Sequence, residues 1–213
     1  MSLLQLCTLL LLPLVMWRAF PAEFFPKLRQ ERGYQHLVFA SLTALTLLWS
    51  TQAGIKAGLQ LHFLLLTTLV LCHGWRIALW LGMVPLAALG LLGKISWQDF
   101  GLFWVSQLLV PVLFSYAWFI WTYHALARHL FVYLFVAGFL GAALSIVLSL
   151  AVHSGLLWWD GRYDWDTIYQ NYLLFAMLIW FPEALLNGAA LTLMAIYRPH
   201  WLRTFYDREY LGG

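Results

Sequence analysis

A soluble domain carries about 25% charged residues, whereas this 213-residue chain carries 10% and is 63% hydrophobic, which excludes an ordinary water-facing surface. Its formal charge of +3 comes from basic residues clustered between apolar runs rather than from a stripe, so nucleic acid is excluded as a partner and topology explains them instead. The 13 Trp, 10 Tyr and 15 Phe suit a protein anchored at two membrane interfaces, so the lipid bilayer is the first expected partner.

About 20 apolar residues cross the hydrocarbon core as a helix. That rule predicts an all-α integral membrane bundle of seven transmembrane helices, with the N-terminus outside and the C-terminus cytoplasmic. No linker, low-complexity tract or fixed-period repeat divides the chain, which reads as one domain over 1–213. The first span, 3–20, is expected to be a reverse anchor and not a cleavable signal. Arg18, Lys27, Arg29 and Arg32 follow its apolar run, and no positive residue precedes it. The second span covers 36–53 and the third 57–73.

His62 lies in the third span, roughly 8 Å below its outer end, with Gln60 on the same turn. Polar groups at membrane depth are costly unless paired, so each is a functional candidate by default. A tight reversal at His73-Gly74-Trp75 leads into the fourth span, 75–93. Ser106 and Gln107 enter the bundle from the outer end of the fifth span, 102–124.

The sixth span, 130–152, holds Gly138 with Ala142 and Gly141 with Ser145, small-xxx-small pairs that permit close helix approach. Ser149 and His153 stand at its outer end. The following loop, 153–171, is acidic and aromatic, with Asp160, Asp164 and Asp166 beside Trp158, Trp159 and Trp165. Such a loop either pre-concentrates cations or re-enters the headgroup layer. The seventh span, 169–196, contains Glu183 and Asn187 on one helix face, Pro182 beside them, and a second small-residue series of Ala184, Gly188 and Thr192. Gly138, Gly141, Ala142 and Gly188 are the expected partner-interface residues, with packing inside the bundle as the alternative.

Nine cations fall on the cytoplasmic side of this topology: Arg18, Lys27, Arg29, Arg32, Arg76, Arg128, Arg198, Arg203 and Arg208. Three fall outside: Lys56, Lys94 and Arg162. The asymmetry obeys the positive-inside rule. Cys7 and Cys72 lie toward opposite faces, so no disulfide is expected.

Enzyme patterns are missing. His124 and His129 have the spacing of one desaturase box, but the further histidine boxes are absent. No nucleophile elbow, His-Glu-x-x-His motif, Walker A loop or dinucleotide fingerprint occurs. The chain is expected to be no enzyme and to hold no permanent cofactor. Imidazole suits nickel, cobalt and copper, so His62, His153 and Gln60, with Glu183 deeper in the bundle, form the candidate metal set.

Residues 50–195 resemble the CbiM/NikM family, the membrane substrate-binding components of energy-coupling-factor importers for cobalt and nickel. The resemblance is carried by Gly54-Ile-Lys-Ala-Gly58-Leu59, by the run from Pro111 to Ala117 and by Asn187-Gly188-Ala-Ala-Leu-Thr192. It implies a seven-span fold, a permease role in an inner (cytoplasmic) membrane, a transition metal ion (Ni, Co or Cu) as substrate, and a transmembrane coupling subunit with ATPase subunits as partners. The family's metal chelate uses an N-terminal Met-His, and this chain has Ser2. The family's next histidine has no counterpart among Ser50 to Ala53, which leaves His62 to substitute. The alternative function is an accessory or assembly protein of a membrane complex, and a lipid-directed enzyme using Glu183 and Asn187 is a third reading.

Overall fold

A computed structural model describes residues 1–54, 56, 58–206 and 210. Ile55 and Ala57 of the Gly54–Leu59 tract, and Arg208 of the cytoplasmic cations, lie outside the described residues. Helix α1 runs over Leu3–Arg18, α2 over Phe24–Gln30, α3 over Arg32–Ser50, α4 over Leu66–His73 and α5 over Trp75–Leu91. Helix α6 spans Phe100–Ala125 and α7 spans Val132–Trp159. Helix α8 covers Leu174–Tyr197, entered through the short turns Trp165–Ile168 and Tyr169–Leu173. No strand occurs among the described residues beyond a single antiparallel bridge, Ala53 with Leu61.

Length and composition suit Phe100–Ala125, Val132–Trp159 and Met177–Tyr197 to crossing a bilayer, while Leu3–Arg18 and Trp75–Leu91 are shorter apolar helices. The third predicted span is corrected by the structure. Of 57–73 only Leu66–His73 is helical, and eight residues rise only about 12 Å. Residues 51–65 instead turn back on themselves as an irregular hairpin. Gly54 and Gly58 supply its positive φ angles of 155° and 81°, which side chains other than glycine rarely adopt. Non-helical backbone at membrane depth survives only where protein covers it. Here α4 is wholly buried and packs against α5, α6, α7 and α8.

Proline explains one irregularity. Pro111 offers no N–H to the carbonyl four residues earlier, and the ladder just before it widens to i→i−5, with Val110 N donating to Val105 O over the π-helical stretch Trp104–Leu109. That stretch turns both Ser106 and Gln107 inward. Helix α1 begins with a reciprocal cap: Gln5 N donates to Ser2 Oγ at 3.1 Å and Ser2 N donates to Gln5 Oε1 at 2.7 Å.

Candidate functional site

The hairpin 51–65 meets α4 at Leu65, which has φ 53° and caps the helix without a side-chain acceptor of its own. The acceptors come from α8, more than a hundred residues away. Leu64 N donates to Glu183 Oε2 at 2.9 Å and Leu65 N to Glu183 Oε1 at 2.8 Å. One turn on, Asn187 Oδ1 accepts from Thr68 N at 2.9 Å and from Thr68 Oγ1 at 2.8 Å. Asn187 Nδ2 donates back to Glu183 Oε1 at 2.8 Å. The i and i+4 spacing of Glu183 and Asn187 thus serves one helix N-terminus, whose first N–H groups have no partner within the helix. All of the carboxylate's partners are N–H donors. Glu183 lies at the base of the site and is spent on backbone.

Two more groups fasten the hairpin. Trp49 Nε1 donates to Leu64 O at 3.1 Å, and His153 Nε2 stands 2.8 Å from Gly58 O. A carbonyl only accepts, so Nε2 carries the proton, and Nδ1 stands 2.8 Å from Ser106 Oγ, whose single hydroxyl proton is shared between Nδ1 and Leu102 O. Both ring nitrogens of His153 are engaged, and in this arrangement no lone pair of its ring is left for a metal. Ser149 donates its one proton to Ser106 O at 2.7 Å, with Gln107 Oε1 at 3.2 Å as a second acceptor beside it, and Gln107 Nε2 donates to Tyr172. The polar residues expected at the outer end of the bundle therefore form one connected network behind the hairpin.

His62 differs. It is buried against Trp49, ring centroids 5.0 Å apart, and its Nδ1 donates to Phe63 O at 3.2 Å. That leaves Nε2 as a lone-pair donor without a protein hydrogen bond. The register of the Ala53–Leu61 bridge sets Gln52 opposite His62, and Gln60 shares a strand face with His62. The buried atoms Gln60 Oε1 and Gln52 Nε2 have no hydrogen-bond partner, and such orphans call for an explanation. An imidazole nitrogen and an amide oxygen on one strand face are donor types that a divalent first-row ion accepts, whereas the orphan atom of Gln52 is an N–H donor. Among the described residues no group of three or more His, Cys, Asp or Glu side chains is placed to hold a metal. Gln52 was not singled out by sequence reasoning. Its only signal was an amide two residues before Gly54 at the end of an apolar helix.

The acidic loop is engaged internally. Arg162 Nη2 pairs with Asp99 at 2.6 Å and Asp160 at 3.1 Å, and the bond to Asp99 raises the guanidinium's pKa above its ordinary value. Gln5 Nε2 joins Asp99 at 2.8 Å. Asp164 accepts from Thr167 N at 3.3 Å, and Asp166 accepts from Gln170 at 3.0 Å. Of the small residues, Gly138 faces Leu191 and Gly141 faces Trp118, where an added Cβ would come within 2.6 and 2.9 Å respectively. Ala142 is buried as well. Gly188 sits against Phe139 and also lines an outward groove with Phe135, Leu185 and Leu193.

No curated protein and no solved structure matches the chain. The model of one family matches residues 3–201, under the description CbiM, cobalt uptake substrate-specific transmembrane region. Helices long and apolar enough to cross a bilayer agree with that description, and the match covers nearly the whole chain: the protein belongs to the CbiM family of membrane components for cobalt uptake.

Proposed function

We propose that the chain is the substrate-capture subunit of an energy-coupling-factor importer for a divalent transition metal, with cobalt as first substrate and nickel as second. It crosses the cytoplasmic membrane seven times with its N-terminus outside, the third crossing made by the hairpin 51–65 together with α4, and it works with a transmembrane coupling subunit and ATPase subunits. The family match supports the transport role, and the absence of a Walker A motif calls for a separate motor. His62 Nε2 is the first metal donor, joined by Gln60 Oε1 and the amide oxygen of Gln52. His153 and Glu183 act through the hairpin that they hold in place.

The observation that carries this reading is His62, hydrogen-bonded only through Nδ1 among the described residues, on the same hairpin as the unpartnered Gln60 Oε1. Metal content by inductively coupled plasma mass spectrometry tests it, on detergent-purified protein incubated with Co, Ni, Cu and Zn. Wild type is expected to retain an equimolar ion and His62→Ala to lose it. Equal retention by both proteins rejects His62 as a ligand.

A second reading, an accessory or assembly protein of a membrane complex, draws on the apolar groove between α7 and α8 that includes Gly188. Cross-linking in cells separates the two: coupling and ATPase subunits recovered with the chain favour the importer, and an unrelated membrane complex favours the assembly role.

A further inference from the structure

We propose that the end of the bundle opposite the hairpin carries a binding site for an anionic phospholipid. Its phosphate lies among Arg76, Arg203 and His124, and one acyl chain runs along α6. A cavity of about 470 Å³ opens there between the α4–α5 turn, the end of α6 and the segment after α8. Its charged and titratable lining residues are Glu23, Arg76, Arg203 and His124, with Tyr116, Tyr123 and Tyr206 adding phenols. Glu23 is committed to Arg203 at 3.6 Å, and Arg203 also donates to His73 O at 3.1 Å. Arg76 is exposed, and no carboxylate lies within ion-pair distance of it among the described residues. Its guanidinium rests over the Trp75 ring, 5.3 Å from the centroid. Among the described lining residues, two guanidinium groups stand against one carboxylate, an excess of positive charge.

A second cavity of about 550 Å³ continues from the first and shares Tyr116, Ile120 and His124 with it. Ala117, Trp121 and Ala125 complete its lining, and Ile120 and Trp121 are 36% and 51% exposed. The pair therefore joins a cationic chamber to an apolar trough on the outside of one membrane helix. A soluble anion would use only the chamber, and an acidic protein segment would have no use for the trough. A phospholipid uses both at once. Basic pockets between membrane helices at the cytoplasmic face bind lipid headgroups by this logic, and tryptophan and tyrosine at the rim sit at headgroup depth. The site lies at the other end of the bundle from the metal hairpin, and its existence does not depend on transport.

Native mass spectrometry of the delipidated full-length protein tests the proposal, with phosphatidylglycerol, phosphatidylcholine and inorganic phosphate as probes. Wild type is expected to retain phosphatidylglycerol about fivefold more than phosphatidylcholine, the scale of one basic residue at a charged membrane surface. Arg76→Gln should abolish that preference. Ala117→Phe, which fills the trough, should weaken retention of both lipids while the preference persists. Equal retention of the two lipids by wild type overturns the proposal and leaves the cavity to an acidic segment of a partner. Inorganic phosphate that displaces phosphatidylglycerol at equal concentration overturns it in favour of a soluble anion. Unchanged behaviour of both variants also overturns it. Thermal unfolding of each variant supplies the folding control, and Arg76 has no hydrogen bond to lose.

Discussion

Leu65 holds a left-handed backbone at φ 53°, a conformation that costs a branched apolar residue on the order of 1–3 kcal/mol. It persists because Glu183 fixes the two N–H groups at positions 64 and 65 and Asn187 fixes a third at Thr68. Glu183→Gln replaces one accepting oxygen by an amide NH2 that faces a backbone N–H. The expected loss is about 1–3 kcal/mol, the scale of a buried donor left unsatisfied, read as a lower unfolding temperature in detergent. Asn187→Ala removes the Thr68 cap, with a loss of about 1 kcal/mol. Metal retention should fall in the Glu183→Gln variant along with its stability. His62→Ala should lose the metal and keep most of its stability, because the hydrogen bonds that hold the hairpin come from other residues. That split separates a ligand from a residue that positions one, and identical profiles for the two variants would merge the roles.

Helix α4 shows which elements a hydropathy rule can see. The predicted spans at 3–20, 36–53, 75–93, 102–124, 130–152 and 169–196 each coincide with a helix, because long apolar runs with polar ends leave lipid or core as their only environment. The tract 57–73 is nearly as apolar, but its first half folds as a hairpin around Gly58. Composition does not distinguish these cases, since a buried hairpin and a buried helix bury the same side chains. The fact that decides it, a carboxylate on α8 capping α4, is a tertiary one. For the same reason Glu183 was legible as important and illegible as a cap. Close helix approach was better marked by small residues, though one close approach against backbone, α1 on α6 at Gly101, lies outside the pairs noted from sequence. A Cβ at Gly101 would lie 2.7 Å from Leu9 N and from Thr8 Oγ1. Backbone cannot yield as a side-chain tip can, so Gly101→Val should push α1 away from α6. Protease susceptibility near residues 19–23 should rise and the unfolding temperature should fall by several degrees, on the scale of about 1–3 kcal/mol for overpacking. A variant as stable as wild type would show that α1 docks with room to spare.

Across the whole molecule, the two ends of the bundle use their charges differently. At the hairpin end Arg162 is closed into Asp99 and Asp160, Lys94 donates to the Ser50 carbonyl, and Lys56 lies over the Tyr163 ring. These cations satisfy neighbours within the fold. At the other end Arg18, Arg29, Arg32 and Arg76 are exposed. Arg203 and Lys27 are exceptions at that end, paired with Glu23 and Glu31, and it is the charge count in the sequence that assigns the two sides by the positive-inside rule. This predicts the outcome of single-cysteine labelling in intact cells, with Cys7 replaced by Ser and Cys72 buried. Asp166→Cys, in the exposed loop before α8, should react with a membrane-impermeant maleimide from outside. Gln30→Cys, exposed at the end of α2, should react only after permeabilisation. The reverse pattern would place the metal hairpin in the cytoplasm, where an importer has no use for a capture site, and would turn the transport proposal toward export. Labelling of both sites without permeabilisation would mean that the hairpin and the eight-residue α4 do not complete a crossing, so that an even number of spans separates the two positions.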